Sequence, residues 1–338
     1  MRVFLIRRLL LMVLALFGVL VIMFLLMHLA PVDPARQYAG NGASEKTLER
    51  VRVQLGLNRS LPEQVVLYIK NFFTGQWGDS LTTKRPVLND IRTTLPNTLE
   101  LAVVAMILTI LIGVPLGVVS ADQKDRWPDH ASRILAVGLI SIPTFWLALA
   151  LQYILSGKLG LLPLSGTQSQ TIDYLYPIKS ITGFPSIDAL VTGNWQAFGD
   201  HVVHMILPVI ALTGMSLGGL QRISRAAMVE TLSDDYIVAK RSYGLKERSI
   251  LFKHGLRNST GPIATYTGTT FAWLLVNTFL VEAIFSWPGM GSYLAEGVSG
   301  LDYPVVMAVT LVSACAFLLL NFCADLIIAL DPRVRQTR

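Results

Sequence analysis

The chain has 338 residues, 52% of them hydrophobic and only 15% charged, with a mean hydropathy of +0.53 and a formal net charge of +6. Soluble domains carry about 25% charged residues; here the deficit is concentrated in a few long apolar runs, which excludes a soluble globular protein. The excess cations flank those runs, as membrane topology requires, so the charge does not argue for nucleic acid. Cys315 and Cys323 lie eight apart in one apolar run, which excludes a disulfide framework or a CxxC metal site.

Six apolar segments are long enough to cross a hydrocarbon core of about 30 Å. They lie near 9–30, 99–121, 133–156, 202–221, 262–284 and 305–330, the fourth diluted by Gly214, Gly218 and Gly219. Arg2, Arg7 and Arg8 precede the first, as in a signal peptide. Its run of about 22 residues exceeds the usual signal core, and Pro31-Val-Asp-Pro34 follows rather than a small-residue cleavage site, so it is read as an uncleaved anchor.

The segment 31–98 reads as a small folded element. Ser44 caps a helix over 44–55 that stops at Gly56, Pro62 opens a second helix over 62–73, and Gly75, Gly78 and Asp79 mark turns. Orientation follows from Lys and Arg. The amino end has Arg2, Arg7 and Arg8, and the connection after the second span has Lys124, Arg126 and Arg133. The loop 222–261 has eight cations, and the tail has Arg333, Arg335 and Arg338; 157–200 holds only Lys158 and Lys179, and 285–304 none. Both termini and the loop 222–261 are expected to face the cytoplasm, with 31–98 and 157–200 outside.

Within the spans, Gly113 and Gly117 flank Pro115, and Pro143 and Pro208 interrupt the third and fourth. Small residues four apart permit close helix approach and proline permits a kink, so these positions are hinge or pathway candidates, with tight packing as the alternative. Gln152, Asn277 and Asn321 suit interhelical hydrogen bonds or a pathway lining. Glu100, Glu282 and Asp325 fall near span ends, where a carboxylate can reach water. No mid-membrane cluster of acids or arginines supports an ion-coupled secondary carrier, the rival of a different class. His201 and His204 stand three apart but lack a third ligand, so no metal site is expected.

No G-x-x-x-x-G-K-[ST] phosphate loop, H-E-x-x-H or paired catalytic carboxylate is present, so the chain reads as non-catalytic and any energy must arrive through another chain. The loop 222–261 is the one substantial place for it to dock. Asp235 is expected to cap a helix beginning at Tyr236, with Tyr236, Ala239, Lys240 and Tyr243 on one face. Gly244 breaks that helix, Leu245 follows, and a second helix runs from Lys246 to Asn258 before Pro262 opens the fifth span. A loop lying on anionic lipid is the competing reading; the glycine punctuation and two tyrosines favour a protein partner.

This loop resembles the cytoplasmic motif of the membrane subunits of binding-protein-dependent ABC importers in the peptide/nickel permease group. The residues that carry the resemblance are Asp235-Tyr236-Ile237, Gly244-Leu245, His254-Gly255-Leu256-Arg257-Asn258-Ser259 and Pro262. It extends over nearly the whole chain through Arg7-Arg8-Leu9, His28 to Pro34, Leu95 to Leu101, Ser141 to Trp146 and His204 to Pro208, then Glu282 to Gly291, Asp302-Tyr-Pro304 and Asp331-Pro-Arg333. The stretch Thr182 to Asp188 is similar to that of dipeptide B-type subunits. Val32 stands where the family usually has glycine, and Lys240 and Tyr243 replace common alanine and lysine.

The resemblance implies an all-α integral membrane protein with the type I importer permease fold, in the bacterial inner membrane. It divides into the amino end and first span (1–30), an extracytoplasmic segment (31–98), a five-helix core (99–330) and a cytoplasmic tail (331–338). It implies a C-type partner permease subunit, two ABC ATPases that bind ATP and Mg, and a periplasmic binding protein delivering peptide, with haem or nickel chelates as alternative cargo. This chain itself would bind no cofactor. The ATPase-coupling helix maps onto Asp235 to Gly244, supported by His254, Arg257 and Asn258.

Overall fold

The computed structural model describes residues 2–29, 34–39 and 42–330. Val32 and its neighbours, Asp331-Pro-Arg333 and the tail cations lie outside the described residues. The elements are α1 (Arg2–Leu29), α2 (Pro34–Ala39), α3 (Glu45–Leu55), α4 (Leu61–Phe73), α5 (Val87–Asp122), α6 (Trp127–Ser141) and α7 (Thr144–Leu151) with a π-helical continuation, Gln152–Lys158. Then come α8 (Gln170–Leu175), α9 (Pro185–Val191), α10 (Trp195–Leu232), α11 (Asp235–Ser242), α12 (Glu247–Ser249) with a π-helical stretch Ile250–Gly255, α13 (Leu256–Phe285), α14 (Met290–Ser299) and α15 (Tyr303–Leu330). Among the described residues no strand forms beyond an isolated bridge between Asp79 and Pro86.

Among the described residues, five helical stretches are long and apolar enough to cross a membrane: Ile6–Leu26, Val87–Asp122, Trp195–Leu232, Glu247–Phe285 and Tyr303–Leu326. The third expected span, 133–156, is not one straight helix. α6 and the α7 stretch meet at 98°. Ile142 is extended (φ −91°, ψ 121°), as the residue before a proline prefers, and Pro143 has no N–H to continue the ladder. Pro115 and Pro208 leave α5 and α10 continuous, and so does Pro262, which lies inside α13 rather than opening it.

The chain forms two compact units. One comprises 1–94 with 293–316. Its short helices carry the expected punctuation. The Ser44 hydroxyl accepts from Thr47 N–H, and Gly56 ends α3 at φ +71°. Ser60 and Glu63 form a reciprocal capping box at the start of α4. Two buried acids hold its long turn: Asp302 accepts from Ser80 Oγ at 2.7 Å and from Thr82 N–H at 2.9 Å, and Asp90 from Thr83 Oγ1 at 2.6 Å and Tyr293 Oη at 3.0 Å.

The other unit comprises 95–292 with 317–338, and α10 is its centre, packing on α6, α7, α9 and α13. The small residues that dilute the apolar run of α10 let backbones touch. A Cβ on Gly218 would meet the Ala136 carbonyl oxygen, and one on Gly219 the Tyr266 hydroxyl. Gly117 on α5 meets α10 in the same way, where a Cβ would lie 2.5 Å from that of Ser224 and 2.9 Å from Arg225 N. Gly113, one turn earlier, faces Leu217 and Leu220.

Candidate functional site

The loop after α10 folds as a helical hairpin. Asp234, not Asp235, holds the extended cap geometry (φ −68°, ψ 144°), so α11 begins at Asp235. The two adjacent aspartates are chemically equivalent caps, and only backbone geometry separates them. Eight residues make α11 about 12 Å long. Tyr243 and Gly244 N–H close the last turn onto Ala239 and Arg241 oxygens. Gly244 then turns left-handed at φ +73°, with open space where a side chain would sit. The second arm is not an independent helix from Lys246 to Asn258: α12, the π-helical stretch and α13 follow without a gap.

The face drawn through Tyr236, Ala239, Lys240 and Tyr243 divides. Ile237 is fully buried, which turns α11 so that Tyr236 and Lys240 lie against the second arm. The Tyr236 hydroxyl accepts from Asn258 Nδ2. The Lys240 ammonium donates to His254 Nδ1 at 2.8 Å and lies 6.0 Å from the Tyr236 ring centre. Lys240 is therefore an internal contact of the hairpin. Ala239 and Tyr243 remain outward with Val238, Ser242 and Leu245; Tyr243 is 83% exposed and Val238 53%. Arg241 and Glu247 pair across the glycine turn at 2.6 Å, and the hydrogen bond that Arg241 donates to Glu247 raises the guanidinium's affinity for its proton. Arg257 is exposed.

The hairpin stands on a tied base. Val114, Val118, Leu220, Met228, Leu251 and Ile263 form one apolar cluster joining α5, α10, the π-helical stretch and α13. Thr231 and Ser259 share a hydrogen bond of 2.9 Å between α10 and α13. Arg225 on α10 grips buried Asp129 on α6 with two bonds of 2.6 Å, and Asp129 also accepts from Ser120 Oγ and Asp125 N–H. Gln221 donates to Ser132 at 2.7 Å. Sequence reasoning missed the Asp129–Arg225 pair. Its partners stand 96 residues apart, and the signal available was an acid and an arginine each near a span end.

The other candidates scatter. Gly113 and Gly117 are packing points, Pro143 marks the 98° break, and Pro115 and Pro208 sit inside continuous helices. Gln152 does cross between segments, donating to the Leu164 and Ile284 oxygens at 2.9 and 3.2 Å. Asn277 and Asn321 instead donate to oxygens four residues back in their own helices. Glu100 and Glu282 do not reach water. Both are buried, Glu282 accepting from Gly291 N–H at 2.6 Å and Glu100 from Ser186 N–H at 2.9 Å; Asp325 is half-buried. His201 is fully buried between the Thr167 oxygen (3.0 Å) and Glu100 (3.5 Å), and His204 bonds to the Asp200 oxygen at 2.8 Å. Among the described residues no group of three potential ligands could hold a metal.

Residues 113–336 match the family of binding-protein-dependent transport system inner membrane components, and residues 1–102 match the amino-terminal region of such membrane components. The chain belongs to this family. It is an inner membrane permease component of an ABC importer, with the type I importer permease fold. Among its relatives is the probable D,D-dipeptide transport system permease protein of Escherichia coli (strain K12). The two are 42% identical over 95% of this chain and 94% of the relative. A dipeptide transport system permease protein of Alkalihalophilus pseudofirmus is 37% identical over 97% and 98%. The glutathione transport system permease protein of E. coli (strain K12) is 35% identical over 98% of each. The hairpin described above lies in the matched region of this permease.

Proposed function

We propose that this permease forms, with a second homologous subunit, the membrane path for dipeptides or oligopeptides handed over by a periplasmic binding protein. Two separate ATPase subunits drive the pair, one of them docking on α11 of this chain. Both termini and the hairpin face the cytoplasm in this reading, as the clustering of cations supports, and the segments 31–98 and 157–200 face the binding protein. The observation that carries the reading is the outward face of α11. It is a short helix pinned from behind and punctuated by left-handed Gly244, leaving Val238, Ala239, Tyr243 and Leu245 bare in a chain with no phosphate loop of its own. A bare apolar and aromatic tip on a braced helix is the form that a cleft in a partner accepts. Peptide cargo is supported by the names of the relatives, which are dipeptide and glutathione permeases.

The test is purification of the tagged chain in mild detergent, together with uptake of labelled dipeptide in cells. Co-recovery of ATPase subunits, with uptake lost when they are deleted, is the expected result. Recovery without any ATPase, while uptake persists in their absence, would overturn the reading. Cargo is tested separately by competition of dipeptide uptake with a longer peptide, haem and a nickel chelate.

A further inference from the structure

The two contacts behind α11 form a matched ladder. Tyr236 and Lys240 stand one helical turn apart on α11; His254 and Asn258 stand one turn apart on the second arm. Tyr236 meets Asn258 and Lys240 meets His254, so one turn forward on α11 answers one turn back on its neighbour. Residues four apart share a face of a helix, and two such rungs fix both the distance and the rotation of α11 against the second arm. Buried Ile237 sets the same roll from the apolar side. The second arm runs through a π-helical stretch into α13 with no break at Pro262, and α13 packs along α10.

We propose that the Tyr236–Asn258 and Lys240–His254 rungs are positioning contacts that make α11 and α13 move as one body, so that displacement of α11 is delivered to α13 and not absorbed in the Gly244 turn. This rests on the reading that an ATPase docks on the outward face of α11, and it assigns to the opposite face a separate task. The Lys240–His254 rung depends on an uncharged imidazole. His254 Nδ1 accepts from the Lys240 ammonium, and a protonated ring would set two cations together. The charged groups about His254 are Lys240 on α11 and, on its own arm, Lys253 and Arg257.

The experiment uses the complete transporter with Tyr236→Phe, which keeps the ring and removes the rung, and with Lys240→Met. It reads three quantities: ATPase subunits co-purified with the tagged chain, ATP hydrolysis stimulated by peptide-loaded binding protein, and peptide uptake. The expected result is unchanged co-purification, with uptake per ATP hydrolysed reduced about fivefold or more, the lower end of measured couplings between sites. In the double variant Tyr236→Phe with Asn258→Leu, loss is expected to be no greater than in the worse single variant. Uptake and stimulated hydrolysis within twofold of the unmodified transporter in both Tyr236→Phe and Lys240→Met would overturn the proposal. Loss of the ATPase from the Tyr236→Phe complex would also overturn it, because the tyrosine would then be a docking contact. Recovery of the unmodified chain without ATPase would instead sink the docking reading.

A second measurement guards against variants that misfold. In a Tyr236→Cys, Asn258→Cys variant that also carries Cys315→Ala and Cys323→Ala, the two introduced thiols are joined by a short thiol-reactive linker. Uptake that survives cross-linking supports the single body; uptake abolished by cross-linking and restored by cleaving the linker would overturn it.

Discussion

Two polar loops of the larger unit solve the same problem in opposite ways. The turn 181–188 closes on itself. Buried Asp188 accepts from Ile181, Thr182 and Gly183 N–H and from the Thr182 hydroxyl, at 2.6 to 3.1 Å. The α11 hairpin spends its polar groups on the neighbouring arm and leaves its other face bare. A loop whose polar groups are answered within itself and, through Ser186 N–H, by buried Glu100 has little left to offer. One that is satisfied from behind and apolar in front is prepared for a partner.

Substitutions test that contrast, beginning with the largest effect. Asp188→Ala leaves three backbone donors of this partly exposed turn without their acceptor, and should cost about 2 kcal/mol, since bonds to a charged group are the strong ones. A lowered thermal midpoint of the detergent-purified protein checks this; an unchanged midpoint would show that the turn is not held by its aspartate. The same residue gives a pH prediction. Burial pushes the Asp188 carboxyl up, but the Thr182 hydroxyl and the three N–H groups outweigh it and hold it below the usual range. Its stabilisation is therefore full above the unfolded value of about 3.9 and is lost as pH falls through the depressed folded value. Acid unfolding of the native chain should show this loss below about pH 4, and Asp188→Asn should flatten it.

Gly244→Val is next. No atom obstructs the new side chain, so the cost is the left-handed backbone alone, about 1–2 kcal/mol. Because that strain falls on the hairpin, uptake should drop more than the thermal midpoint suggests, and Gly244→Asn should restore much of it. The smallest stability effect belongs to Tyr243→Ala, within about 0.5 kcal/mol for so exposed a side chain. It should nonetheless weaken ATPase co-purification more than any change on the inner face. Equal retention of ATPase by Tyr243→Ala and the unmodified chain would remove Tyr243 from the docking surface.

What was legible in the sequence was local. The Ser44 cap, the Gly56 stop, Pro62 in a first turn and the Gly244 break are each decided by a residue's own backbone preferences, and all lie where expected. The apolar runs were equally plain, although the helices overrun them: α5 begins at Val87, well before the apolar segment at 99. What was not legible depends on pairing across the fold. Helical spacing placed Tyr236 and Lys240 on one face with Ala239 and Tyr243, but burial of Ile237 decides how that helix is rolled. The Glu100–His201 and Asp129–Arg225 pairs join residues about a hundred positions apart. A proline kink was expected in several helices alike, and only at Pro143 does it become a break.

The unbroken run from Glu247 to Phe285 has a mechanical consequence. Its 39 residues extend about 58 Å, roughly twice the thickness of a bilayer's hydrocarbon core. It is a lever much longer than the layer that holds it. A tilt of only about 5° around its midpoint would carry its α11 end some 2.5 Å sideways, from simple trigonometry on that length. Small angular changes among packed helices are therefore enough to convert a modest push at one end into a displacement of atomic size at the other.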